Sequence, residues 1–220
     1  MSTEAAIFTA IPAGRMPEHA GYLATMISLR VTGQGQAETF IKEASDYLAK
    51  KEYKQAQLSL QDAINDINMM LAQQVAESLP AEINGLQADG ESEINSGGMA
   101  MIGGGMQITK RYRHPTTSGN EAEVQIVANS PMLATLNMYI TNPAMLGQGY
   151  KSVRVGTNRA ILKSETQDGD NGAKIRSTEI QVPLGQTLIT IHANGFATEQ
   201  DELAFATKLD VEKIRTALGE

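Results

Sequence analysis

Methionine is the residue type whose abundance and spacing could supply chemistry in this 220-residue sequence. Met99, Met101 and Met106 lie in a glycine-rich stretch, and the chain holds 11 methionines in all. Thioether sulfurs are soft ligands that suit Cu(I), and flexible spacing would let several of them bind one ion. Methionine is also an adaptable filler of cores and sticky surfaces. The three residues are therefore candidates for a copper site, with ordinary packing as the alternative.

Other catalytic and metal-binding chemistry has little support in the sequence. The chain has no cysteine, which excludes disulfides, thiolate zinc sites and cysteine nucleophiles. His19, His114 and His192 are isolated from one another. Gly-x-Ser-x-Gly, His-Glu-x-x-His and the phosphate loop ending in Gly-Lys-Ser/Thr do not occur in the sequence. We therefore expect a protein that is not an enzyme and that needs no cofactor.

Charge and hydropathy bear on the class of partner. The chain carries 18 Lys and Arg against 25 Asp and Glu, for a formal charge of -7. A nucleic-acid surface needs a basic stripe that displaces counterions, so this balance argues against one. No apolar run reaches the roughly 18 residues that a membrane span requires, so we expect no integral span.

Met1-Ser2-Thr3-Glu4 has an acid where a signal peptide carries Lys or Arg. The chain is then either cytoplasmic or a mature form whose signal was removed.

The first 33 residues are predicted to form an arm. Pro12 and Pro17, with nearby glycines, interrupt any long element. Ile7, Phe8 and Ile11 nevertheless form an apolar group that a solvated tail would not need. These three residues either pack on the core of the same chain or bind a neighbouring subunit.

Residues 34–80 are predicted to form a helical hairpin. Apolar residues recur at spacings of three and four on both sides of Lys50-Lys51-Glu52, and Pro80 ends the second run. The stretch from Tyr47 to Tyr53, continued by Ala56, resembles one tetratricopeptide unit. No second copy follows at the spacing of about 34 residues that a repeat protein shows, so we expect a single hairpin that packs on something else.

Residues 81–220 are predicted to form an α+β sandwich domain, with a Gly/Met-rich connector at 95–106. Strands joined by short turns cannot be parallel, so we expect a largely antiparallel sheet with helices packed on one face. Ser130-Pro131, Thr198 and Asp210 are predicted to begin helices. The predicted strands are 106–113, 121–128, 152–155, 159–164, 175–182 and 187–193.

A family resemblance extends over residues 40–218. The runs Glu121–Val124, Ser130–Met132, Asn142-Pro143 and Lys151–Ala160 resemble a group of uncharacterised bacterial proteins that join a helical hairpin to a small α/β domain. Those proteins are usually exported to the envelope, so the resemblance implies a periplasmic or envelope location. It implies no activity.

Two classes of function follow from these observations. The apolar arm, the hairpin without repeat neighbours and the missing catalytic motifs favour a non-enzymatic interaction or structural protein. Such a protein would belong to a homo- or hetero-assembly and bind a protein partner or itself. The alternative is a small-ligand or copper-binding module of the bacterial envelope.

Overall fold

The computed structural model describes residues 35–96, 106–168 and 174–220, and the first of these ranges begins with two helices. Helix α1 spans Ala37–Ala49 and α2 spans Tyr53–Ser78. The turn between them places Lys51 in the left-handed region, with a φ of 63°. Helix α2 ends where Pro80 cannot continue it. The predicted helical hairpin is therefore confirmed.

Nine strands form one sheet within the described residues. The spatial order is β1-β2-β4-β5-β9-β8-β7-β6, and β3 pairs with β4 beside β2. Every pairing in the sheet is antiparallel, as the short turns predict. The strands are β1 (Glu82–Ile83), β2 (Leu86–Ala88), β3 (Glu93–Ser96), β4 (Met106–Arg113), β5 (Glu121–Ala128), β6 (Tyr150–Val155), β7 (Asn158–Asp168), β8 (Lys174–Leu184) and β9 (Thr187–Asn194).

One face of this sheet forms the main core, because its strands alternate apolar residues with polar ones. The last turns of α2 pack on this face through Ala72, Val75 and Leu79. Helices α4 (Glu199–Lys208) and α5 (Val211–Leu218) complete the cover. Thr198 and Asp210 cap these two helices through their side chains, as predicted. The predicted α+β class, with a hairpin followed by an antiparallel sheet and helices, is confirmed.

The opposite face of the sheet is mostly polar. Helix α3 (Leu133–Thr141) and the short 3-10 turn Pro143–Met145 cover one corner of it. There Leu136 packs against Ile161 of β7 and Leu188 of β9 in a small second core. The rest of this face presents charged and amide side chains.

The hairpin and the sheet share part of one core. Gly35–Glu220 form one compact unit, and the end of α2 belongs to the main cluster of buried residues. Most of α1 and the first half of α2 lie outside that cluster. Whether residues 81–220 fold without the hairpin stays a prediction.

Candidate functional site

Small residues line the contact between the two helices of the hairpin. Ala37 and Ala44 of α1 are buried, as are Ala56 and Ala63 of α2. Alanine side chains let two helices approach closely, and this leaves no space between them for large side chains. The larger apolar residues of the hairpin must therefore lie elsewhere on its surface.

Four large aliphatic residues each follow one of these alanines by four positions. Ile41 and Leu48 of α1 are 50% and 51% exposed, while Leu60 and Ile67 of α2 are 44% and 42% exposed. Ile64, which is 51% exposed, lies one turn beyond Leu60. We call these five residues, Ile41, Leu48, Leu60, Ile64 and Ile67, the hairpin face.

The five residues lie on the same side of the hairpin. A step of four positions rotates a side chain by about 40° from the contact position in the right-handed sense of its helix. Because the two helices run in opposite directions and face each other, this rotation moves both sets toward the same side of the pair. The hairpin face is therefore one apolar surface borne by two helices.

The α2 part of this surface has few charged residues, whereas exposed Glu38 of α1 lies one turn before Ile41. Between Gln55 and Ala76, the only charged residues of α2 are Asp62 and Asp66. Asp66 turns toward α1, where its Oδ2 accepts a hydrogen bond of 2.8 Å from the backbone N–H of Ala37. Monomeric proteins rarely expose contiguous apolar patches of this kind, and such patches mark interaction sites.

A row of polar side chains crosses the open face of the sheet. Arg111 (β4), Glu123 (β5), His192 (β9), Glu179 (β8) and Lys163 (β7) lie directly opposite one another on successive neighbouring strands. Side chains opposite each other on antiparallel strands are close enough to interact. The row therefore forms one continuous polar band, the only arrangement of titratable groups in the described residues that crosses five strands.

The contacts within this row are those of paired charges. Arg111 Nε donates to Glu123 Oε2 at 2.9 Å, and Arg111 Nη1 donates to Glu93 Oε1 at 2.7 Å. A hydrogen bond from Gln125 lowers the pKa of Glu123, and Arg111 lowers it further. His192 Nδ1 lies 4.0 Å from Glu179 Oε2, beyond hydrogen-bond distance. The neighbours of Glu123 thus favour its ionised form, as in an ion-pair network between adjacent strands.

A groove lies beside α3 at the rim of the same face. Its volume is about 430 Å³, and Leu136 and Ile161 close its bottom. Thr135 and Gln181 are among the few polar residues that line it. The other lining residues are Met132, Tyr139, Met145, Leu146, Gly147 and Tyr150. Its size and its largely apolar lining fit a small apolar molecule.

The residues predicted from the sequence do not converge on one site. Met106 is 4% exposed and packs in the main core on β4. Met99 and Met101 lie outside the described residues, as do Ile7, Phe8 and Ile11. Within residues 35–96, 106–168 and 174–220, no three His, Asp or Glu side chains are grouped so that they could hold a metal ion.

The sequence predicts that the hairpin packs on something else, but it does not identify the residues of the hairpin face, and it does not predict the groove. Both leave a signal in the sequence, since apolar residues recur at helical spacing in α2 and methionines flank α3. Helical spacing shows that a face is apolar, but it does not show whether the same chain covers that face.

Comparisons with known protein families and curated proteins identify no related protein. No protein-family model matches the chain, and no curated protein matches its sequence. In the part of the chain that the structure describes, no helix combines the length and apolar character needed to cross a membrane.

Proposed function

We propose that this protein is a non-enzymatic interaction protein that joins an assembly through its hairpin face. The observation that carries the proposal is the exposure of five large aliphatic side chains on one side of the hairpin. Apolar area removed from water is the main source of free energy in protein association. A partner that covers this surface would be stabilised chiefly by that term.

The rest of the described surface offers fewer routes to assembly. Strand β6 lies at one edge of the sheet and carries exposed Lys151 and Arg154, which discourage pairing with a further strand. The opposite end of the sheet consists of the short strands β1, β2 and β3. Short and charged edges are the usual protection against strand addition. The hairpin face therefore supports the proposal better than either sheet edge does.

Photo-crosslinking from one position tests this proposal. Because the chain has no cysteine, Ile64→Cys creates a single attachment point for a photoreactive maleimide. Gln55→Cys is the matched control, since Gln55 is exposed on α2 and lies two and a half turns from Ile64, on the opposite side of the helix. We expect position 64 to form an adduct with a second polypeptide in extracts of the source cells, and position 55 to form none. Equal labelling at the two positions, or no adduct at position 64, would overturn the proposal.

A second candidate function, the binding of a small apolar molecule, is supported by the groove beside α3. Met132 and Met145 are about half-exposed at its mouth, and methionine side chains adapt to ligands of varied shape. If the groove binds such ligands, Met132→Glu would lower the binding of a polarity-sensitive dye, whereas the Ile64→Cys variant would bind the dye as the wild type does. An envelope location, which the family resemblance implies, fits either function.

A further inference from the structure

We infer that Arg154 and Arg159, on the open face of the sheet, form a binding site for a phosphate dianion. Arg154 lies on β6 and Arg159 on β7, and the two residues are directly opposite each other next to the turn that joins these strands. Side chains in such positions have Cβ atoms about 4.5–5.5 Å apart, so two positive charges share one small area of surface. Neither residue belongs to the hairpin face or lines the groove beside α3.

Both arginine side chains lie on the face of the sheet that is opposite the main core. Ala160 belongs to the main core, and successive side chains of a strand alternate between the two faces, so Arg159 and Ile161 share the open face. Arg159 is half-buried there, and Arg154 is exposed. The next pair on this face, Ser152 and Ile161, carries no charge.

The two arginines have no partner among the residues that the structure describes. Of the six arginines in those residues, four form ion pairs at 3.0 Å or less: Arg111, Arg113, Arg176 and Arg215. Arg154 and Arg159 form no ion pair and no side-chain hydrogen bond with any described residue. Like charges directly opposite each other destabilise a sheet. An anion between the two guanidinium groups would replace this repulsion with attraction and would accept hydrogen bonds from both.

Protection of the sheet edge accounts for only one of the two arginines. Arg154 lies on the edge strand β6, where a charge discourages pairing with a further strand. Arg159 lies on β7, between β6 and β8, where no such protection is needed. A neutral residue at position 159 would avoid the repulsion, so the presence of the second arginine favours a site that binds an anion.

Contacts with α5 hold the turn beside the two arginines. Thr157 Oγ1 and Asn158 Nδ2 donate to Glu212 Oε1 at 3.2 and 3.1 Å. Arg215 donates to Asn158 Oδ1 and to Glu212 Oε2, both at 2.8 Å. Helix α5 covers the core side of the sheet, so Glu212 anchors the turn from the side opposite the two arginines. A site on strands fixed in this way is better defined than a site on a free loop.

Charge and shape favour phosphate as the ligand. Each guanidinium group is a planar fork that can donate two parallel hydrogen bonds to an oxyanion. Two forks carry two positive charges, and a phosphate monoester carries about -1.5 to -2 charges at pH 7. A carboxylate carries one negative charge and would leave the pair half-neutralised. Because the formal charge of the whole chain is -7, we expect binding that is weak and sensitive to salt.

The test is a titration of the isotope-labelled full-length chain with inorganic phosphate at constant ionic strength, followed by nuclear magnetic resonance. We expect saturable shifts of the backbone amides of residues 154–159. Arg154→Gln and Arg159→Gln should each raise the dissociation constant about tenfold, as the loss of a charge-assisted hydrogen bond does. Arg113→Gln is the matched control and should leave the constant unchanged, since Arg113 is an exposed strand arginine that is paired with Asp89 at 3.0 Å. Circular dichroism establishes that each variant is folded.

Three results would overturn the site. These are shifts that do not saturate, equal weakening by Arg113→Gln and Arg159→Gln, and an equal response to acetate at the same ionic strength. Because the site shares no residue with the hairpin face, any of these results would leave the proposed function standing.

Vesicles of phosphatidylcholine and phosphatidic acid distinguish the source of the phosphate. Cosedimentation that Arg159→Gln abolishes would support the site with a lipid headgroup as its ligand. Saturable binding of inorganic phosphate without cosedimentation would support the site with a soluble phosphorylated molecule as its ligand.

Discussion

The carboxylate of Asp66 accepts a hydrogen bond from the backbone N–H of Ala37, although 29 residues separate the two in the chain. Ala37 is the first residue of α1, and no side chain from its own segment caps that helix. The first N–H groups of a helix have no partner within it, so a carboxylate there is stabilising. This hydrogen bond joins the start of α1 to the middle of α2, the two helices that bear the hairpin face.

Replacing Asp66 with alanine should therefore destabilise the protein by about 1 kcal/mol, the usual effect of losing an N-terminal cap. Asp66→Asn retains an acceptor oxygen and should lose less. Asp62→Ala is the control, because Asp62 is exposed one turn earlier on α2. Urea denaturation measures the change, and equal stabilities of Asp66→Ala and Asp62→Ala would contradict the capping role.

The most deeply buried carboxylate belongs to Glu202 of α4, which is 0% exposed. Arg176 of β8 binds it through two hydrogen bonds, of 2.7 and 3.1 Å, and the hydroxyl of Thr178 donates a third at 2.8 Å. Because Arg176→Met would leave the buried carboxylate without its cation, we expect a loss of about 3–5 kcal/mol in the free energy of unfolding.

The double variant Arg176→Met/Glu202→Leu should recover much of that loss, since it removes the charge along with its partner. Arg154→Met, at an exposed position of β6, is the control and should change stability little. If the double variant is no more stable than Arg176→Met, the loss of stability does not arise from the unpaired carboxylate of Glu202.

Stability should also fall in acid. The hydrogen bond from Lys151 at 2.7 Å lowers the pKa of Glu199 below its ordinary value of 4.5. A carboxyl whose pKa is lowered on folding adds stability above its unfolded pKa, and that stability is lost as the pH falls through its folded pKa. Glu199→Gln should therefore lower the melting temperature at pH 7, and the difference from wild type should shrink as the pH falls below 4.5 through the lowered pKa of Glu199. A constant difference across this range would contradict the assignment.

Ala56→Leu tests the tight contact between the two helices. Ala56 is 1% exposed where α2 meets α1, so a larger side chain must separate the helices. Overpacking of this kind costs about 1–3 kcal/mol. Gln55→Leu adds an exposed leucine next to it and is the control. If thermal denaturation gives the same melting temperature for Ala56→Leu and wild type, the contact is looser than the structure implies.

The predicted role of Ile7, Phe8 and Ile11 remains to be tested by deletion. Burial of one such side chain is worth about 1.5–3 kcal/mol, so three could hold an arm against a partner. Deletion of residues 1–14 should lower the apparent mass or expose surface that binds a hydrophobic dye. The same mass, melting temperature and dye response after deletion would mean that the arm is passive.

Local elements of this protein follow from the sequence alone. Strands 106–113 and 121–128 have the predicted bounds because alternation of apolar and polar residues repeats every two positions. The capping box of Thr198 and Asp201 follows in the same way from side chains three residues apart. These interactions are short-range, so the identity and spacing of neighbouring residues determine them.

Only the tertiary structure determined which residues are exposed to solvent and which are buried. The row from Arg111 to Lys163 exists because β9 pairs with β5, a contact between segments about 70 residues apart that alternation does not specify. Met106 faces the core because the register of β4 against β5 places it there. Periodicity identified the apolar residues of the hairpin, but the alanines pack α1 against α2 so closely that the large aliphatic residues stay outside. Periodicity depends on one helix, whereas the exposure of the hairpin face depends on how two helices and a sheet pack together.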